Sequence, residues 1–320
     1  MKSEQVPKIK MFHRLSLIHA SVKLKGENKL SKIQSFTEEF ITEVFKSFKR
    51  KEDQWCNLQN FSLHTVSYED ELHQEYYLLK YFLAYFTEYY HALENKFFTE
   101  YKKNTLKVIS IGCGAGIDYY ALNMYLNIKG LDIDLDYTCI DIIDWSYKPT
   151  DDNCNFIHSD INEIENNIFD NADLIIFPKI LTELNNDTIM HIINLLKSSA
   201  LKEEVYFLNS YITDNSHDNQ RVNGIEQFKK ICNSLQENGF EIDNNVDCDT
   251  YTHFTKYQGL RAIYDFFIYP QDILDIFNKL EKHCNSAQGS IECSQCDIGT
   301  FPIMKTNYIA YLVIKFKNDN

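Results

Sequence analysis

The stretch VISIGCGAGID, residues 108–118, constrains the fold more than any other part of the chain. A β-branched run ends at Ile111, Gly112, Gly114 and Gly116 follow at alternate positions, and an apolar helical pattern opens near Ile117. Branched residues favour extended chain. Glycines accept backbone angles that other residues avoid, and they let a ligand or a second chain segment approach the main chain. A helix that begins at once offers free amides at its N-terminus. The segment therefore predicts the first strand–turn–helix unit of a sheet that binds its ligand at the strands' carboxyl ends. Taken alone, GxGxG fits several nucleotide-binding sheets, and it also fits a turn that only packs helix on strand.

Strand-like and helical runs alternate from Lys107 onward. Strands are expected at Lys107–Ile111, Tyr137–Ile142, Asn155–Ile157, Leu174–Phe177 and Val205–Tyr211, with helices near 117–126, 180–199 and 224–238. This alternation predicts a mostly parallel sheet with helices on both faces. Tyr308–Phe316 reads as the last strand, with an antiparallel partner expected within Thr250–Ile268. Upstream, Phe36, Phe40, Ile41, Val44, Phe45 and Phe48 recur at helical spacing, and 68–101 reads as one or two longer helices with Ser67 as N-cap. The expected organisation is a helical N-terminal cap over 1–103 and a sheet domain over 104–320, complete without the cap and carrying an insertion near 270–306.

Later strand ends add the groups a nucleoside needs. YTCIDIID places Asp141 at the end of the second strand, NFIHSDIN places Asp160 beyond the third, and ADLIIFPKILTEL places Phe177 and Pro178 at the end of the fourth. An acidic residue at such a strand end can hold ribose hydroxyls. These four elements in this order resemble the class I methyltransferase family that uses S-adenosyl-L-methionine, over about residues 106–212 and the last strand. The resemblance implies a Rossmann-like α/β fold with an antiparallel C-terminal edge. It also implies that Gly112, Gly114 and Gly116 cradle the methionine part, Asp141 takes the ribose hydroxyls, Ile142 packs on adenine, Asp160 meets the adenine amino group, and Phe177 lies near the sulfonium. Where the family has an acidic residue two places before the first glycine, Ser110 stands here. Asp118 is the candidate substitute, beside its plainer reading as an acidic residue favoured by the helix dipole.

The stretch after the fourth strand, Pro178 to Glu183, lacks the Asn-Pro-Pro-aromatic signature of amino-group nucleic-acid methylases. It offers Lys179 and Glu183 as catalytic candidates, with a solvated first-turn residue as the other reading of Glu183. YYLLKYFLAYFTEYYHAL is aromatic on nearly every face, which predicts a buried helix. The same helix can act as a lid that presents Tyr81, Tyr85 or Tyr89 to an acceptor, and Tyr85 joins the catalytic candidates. Cys284, Cys293 and Cys296 with His283 can supply a zinc set, or remain reduced thiols.

Charge and hydropathy narrow the partners. With 32 Lys and Arg against 46 Asp and Glu, the formal charge is −14, which disfavours nonspecific nucleic-acid binding and leaves a small molecule or protein as the favoured acceptor. The expected location is cytoplasmic, with no membrane span. Two other functions share parts of this pattern: a dinucleotide-dependent oxidoreductase, which the GxGxG spacing disfavours, and a non-catalytic adenosine-binding scaffold.

Overall fold

The computed structural model describes residues 29–58, 67–165, 167–212, 218–243, 247–248, 250–253, 269–286 and 309–318. Eight strands form one sheet: β1 (Thr105–Ile111), β2 (Asp134–Asp141), β3 (Cys154–His158), β4 (Leu174–Pro178), β5 (Glu204–Ile212), β6 (Glu241–Ile242), β7 (Thr252–His253) and β8 (Ile309–Lys317). Their order is β3-β2-β1-β4-β5-β8-β6, with β7 also paired to β8. The first five run parallel to one another. β8 runs antiparallel to β5, β6 and β7. This is the Rossmann-like sheet with an antiparallel C-terminal edge expected from the sequence. The chain leaves β1 for β2 and β3 on one side and returns for β4 on the other. That reversal opens a crevice at the carboxyl ends of β1 and β4, where open α/β sheets bind ligands.

Both faces of the sheet's centre are covered, so β4 reads as an unbroken apolar run rather than an alternating one. In β4, Leu174 and Ile176 join one hydrophobic cluster, while Ile175 and Phe177 join the other. The first cluster includes helices α1 (Lys29–Lys49), α2 (Glu71–Ala92) and α3 (Ile117–Lys129). The second lies under α4 (Asn186–Ser198) and α5 (Asp218–Glu237). Residues of α1 and α2 share their cluster with Leu106, Val108, Ile176 and Leu208 of the sheet. The sheet is therefore not complete without the N-terminal helices, because with α3 they cover one of its faces.

Local signals set the helix ends. Asp70, not Ser67, caps α2: its backbone is extended, and its carboxylate accepts from the Leu72 amide at 2.9 Å. Ser67 instead closes a turn by accepting from the Glu69 amide at 3.3 Å. Asn185 caps α4 by accepting from the Thr188 amide at 2.9 Å. Gly130 ends α3 in the left-handed conformation, at φ 62°. The expected insertion near 270–306 opens with a helix, α6 (Gln271–Ser286), whose Phe277 packs on Phe45, Phe48 and Trp55. Residues 287–308 lie outside the described part, as does most of the 250–268 segment beyond β7.

Candidate functional site

The three glycines of the turn after β1 all have positive φ: 68° at Gly112, 57° at Gly114 and 71° at Gly116. Their surroundings differ. A Cβ at Gly112 would come within 2.4 Å of Ile180, and one at Gly116 within 2.7 Å of Pro149. A Cβ at Gly114 would meet only the Trp145 ring, at an ordinary 3.6 Å. Gly112 and Gly116 are thus held by packing against protein, and Gly114 is the glycine with room beside it.

Asp141 sits at the end of β2 beside this turn. Its Oδ2 accepts from the Gly114 amide at 2.7 Å, and its Oδ1 accepts from the Ile143 amide at 2.9 Å and from Trp145 Nε1 at 3.3 Å. Burial pushes its carboxyl up, against the pull of these donors and of His158. Ile142, next along the chain, leaves 60% of its surface exposed although it is a large apolar residue. Its carbonyl is pinned by His158 Nε2 at 3.0 Å. Asp160 caps the short helical turn Ile161–Glu163, accepting from the Asn162 amide at 2.9 Å. The structure thus brings Gly114, Asp141 and Ile142 together at the carboxyl end of β2, with Asp160 just beyond β3, the strand paired to it.

Ser110 and Asp118 form a second pair. Asp118 is buried in the first turn of α3, and its Oδ2 accepts from Ser110 Oγ and from Tyr137 OH, each at 2.6 Å. Burial pushes this carboxyl up, while those hydroxyls and the amides at the start of α3 pull it down. The helix therefore delivers a carboxylate beside the strand position where the sequence has serine.

Phe177 departs from expectation. Its side chain is buried between Phe207 and Phe228, with ring centroids at 6.4 and 6.3 Å. Strand alternation turns it into the core beneath α4 and α5, so no ring from this position reaches the crevice. The residue two places on does project there. Lys179 adopts φ 65°, a left-handed conformation rare outside glycine and asparagine. Its Nζ contacts the Glu88 carboxylate, Tyr89 OH at 3.2 Å and Ser210 Oγ at 3.3 Å. It also lies over the Tyr85 ring, 4.0 Å from the centroid. Glu88 is fully buried, and its Oε1 has no hydrogen-bond partner. Burial pushes Glu88 up to about 7 against the attraction of Lys179, and it pushes the Lys179 ammonium down.

Sequence reasoning singled out Lys179, Tyr85 and Tyr89 but missed Glu88 and Ser210. The available signal was a glutamate within the aromatic run from Tyr76 to Tyr90 of α2, since a buried carboxylate requires a partner. Glu183 is exposed at the end of the Ile180–Thr182 turn, where its charge adds to burial in raising the Tyr68 and Tyr77 hydroxyls.

A wall of rings links the two groups. Trp145 stacks on Tyr68 at 5.3 Å and meets Tyr77 at 5.4 Å; Tyr77 meets Tyr81 at 5.2 Å, and Tyr81 stacks on Tyr85 at 5.4 Å. Helix α2 carries most of this wall and is tied down by buried polar side chains. Gln74 donates to the Tyr68 carbonyl at 2.7 Å and accepts from the Ser146 amide at 2.8 Å. Glu75 accepts from Lys51 at 2.6 Å and from Tyr147 OH at 3.0 Å.

Among the described residues, no three His, Cys, Asp or Glu side chains gather to hold a metal. Of the candidate zinc set, His283 and Cys284 fall in α6, while Cys293 and Cys296 lie outside the described residues. Among those residues no helix is long and apolar enough to cross a membrane.

No family model and no curated protein matches the sequence. Several solved structures that align with this chain are methyltransferases. The plantazolicin methyltransferase BpumL in complex with SAH is 14% identical, with a TM-score of 0.43 over 86% of this chain and 99% of that one. Phosphoethanolamine N-methyltransferase 2 of Haemonchus contortus is 10% identical, with a TM-score of 0.45 over 82% of this chain and 60% of that one. A TehB-like SAM-dependent methyltransferase from Corynebacterium glutamicum is 11% identical, with a TM-score of 0.35 over 86% and 99%.

Proposed function

We propose that this chain is an S-adenosylmethionine-dependent methyltransferase that binds its cofactor across the carboxyl ends of β1, β2 and β4. The observation that carries the reading is the Asp141 carboxylate at the end of β2, held by the Gly114 amide at the sheet's switch point beside the exposed Ile142. The residues fit that cofactor. Three donors occupy the Asp141 carboxylate, and of its roughly four lone-pair sites one is left for a ribose hydroxyl. Ile142 offers a flat apolar surface for adenine, and Asp160 keeps carboxylate capacity for its amino group. The buried Asp118 supplies negative charge for the methionine ammonium, with Ser110 positioning it. Gly114 admits a ligand next to the main chain.

When bound, the cofactor supplies a methyl group on an already activated leaving group, so alignment is most of what the protein must provide. Asp141, Gly114 and Asp118 fix the two ends of the ligand. The Trp145–Tyr77–Tyr81–Tyr85 wall excludes water, and the acceptor reaches the methyl group beside Lys179, which lies over the Tyr85 ring. The test is incubation with methyl-labelled S-adenosylmethionine and fractionated lysate. Label is expected in one acceptor fraction with S-adenosylhomocysteine released, and excess NAD should not compete. Binding without any transfer supports a scaffold instead, and competition by NAD supports an oxidoreductase.

A further inference from the structure

We propose that the acceptor is a phenolic hydroxyl, that Glu88 takes its proton, and that Lys179 stabilises the oxygen that attacks. This rests on the methyltransferase reading above.

Four observations support the assignment. The pair lies at the sheet's carboxyl edge: Lys179 follows β4 directly, and Ser210 of β5 is in register with Pro178. Glu88 is 0% exposed, and its Oε1 is buried without a hydrogen-bond partner. A buried acceptor left unmatched is costly, and an incoming O–H matches it. Lys179 is held in a strained left-handed conformation by Glu88, Tyr89 and Ser210. Such strain persists where the surroundings over-determine it, commonly at functional sites. Tyr77, Tyr81 and Tyr85 form a run of packed rings beside the pair, with Lys179 over the Tyr85 ring, an aromatic surrounding of the kind that planar rings pack in.

The sign of the charges selects among nucleophiles. An amine gains positive charge as it is methylated, which the adjacent Lys179 ammonium opposes. A carboxylate brings a second negative charge against Glu88. A hydroxyl must lose a proton while charge builds on oxygen, so it uses both members of the pair. A phenol ionises near 10, as tyrosine does, within reach of a base at about 7; an aliphatic alcohol is far weaker as an acid. In the step, the acceptor oxygen bonds to the methyl carbon as the carbon–sulfur bond breaks and its electron pair leaves on sulfur. The O–H proton passes to Glu88 Oε1 and then to solvent.

The experiment uses the full chain with 4-methylphenol, 4-methylaniline, 4-methylbenzyl alcohol and 4-methylbenzoate as probes. S-adenosylhomocysteine binding, followed by calorimetry, is the control for the cofactor site. With that binding intact, the phenol should bind and receive label. Glu88→Gln should lower turnover at least about a hundredfold, with phenol affinity held within threefold. In the wild type, kcat/KM should rise with pH through about 7, and in Glu88→Gln that rise should vanish. The groups facing Glu88 are Lys179, Tyr89 and Tyr311, and the two tyrosine hydroxyls are held far higher, so neither titrates in this range. The double variant Glu88→Gln/Lys179→Met removes both charges together and tests the pair in a fold without an unpaired buried ion. It should also bind the phenol and fail to methylate it. Label in the aniline, alcohol or acid only, label in no probe, or undiminished turnover in either variant overturns the proposal. Loss of S-adenosylhomocysteine binding by the wild type would instead sink the methyltransferase reading.

Discussion

At the residue scale, the three glycines of one turn carry different constraints. Gly112→Ala drives a Cβ into Ile180 and keeps an unfavourable φ. Overpacking of this kind costs about 1–3 kcal/mol, so urea unfolding should show a clear loss of stability. Gly114→Ala meets nothing closer than 3.6 Å and pays only the left-handed penalty of about 1–2 kcal/mol. It should fold with a small loss yet bind S-adenosylhomocysteine far more weakly. Unchanged S-adenosylhomocysteine affinity in a folded Gly114→Ala would show that the room beside Gly114 is not a ligand's. The sequence made the turn and Asp141 legible because both depend on local spacing. It could not tell one glycine from another, since Ile180 and Pro149 arrive from elsewhere in the chain. The sequence places Phe177 at the end of β4 without showing which face it takes, and packing against Phe207 and Phe228 decides that.

At the element scale, α2 is both core and roof. Its apolar residues all round predicted burial, and the structure adds the polar ties that fix its position over two loops. Gln74 is buried and bridges Tyr68 and Ser146. Gln74→Leu keeps the volume and removes the bridge, leaving backbone groups unmatched at about 1–3 kcal/mol. Amide exchange in residues 141–147 should quicken while that in β5 and β8 stays slow. Uniform exchange across the sheet would place the tie outside any control of that loop. These ties were illegible in sequence, because the Gln74–Ser146 and Glu88–Lys179 pairs are 72 and 91 residues apart. The aromatic pattern showed the helix, and only the fold showed what its few charges face.

At the scale of the whole molecule, burial raises the carboxyls of Glu75, Glu88, Asp118 and Asp141 together. A carboxyl raised on folding keeps its proton in the native state after the unfolded chain has lost it. Stability from such groups is therefore full at low pH and falls as pH rises toward their folded values. Thermal midpoints should decline between about pH 5, just above the ordinary carboxylate range, and about 7, where Glu88 titrates. Glu88→Gln should make that decline shallower. A midpoint that rises across the same interval would contradict the burial of these groups. The mostly parallel sheet with its antiparallel C-terminal edge was legible, since strand–helix alternation and a closing apolar strand leave few topologies open.

The central claim is that Asp141 and the glycine turn hold an adenosine cofactor. The direct measurement is calorimetric titration of S-adenosylhomocysteine into the wild type and into Asp141→Asn, with thermal unfolding as the control for folding. A hydrogen bond to a charged acceptor is worth about 1.5–3 kcal/mol, so the wild type should bind and the variant should bind at least about tenfold more weakly. A folded wild type that does not bind, or a folded variant that binds equally well, would contradict the account.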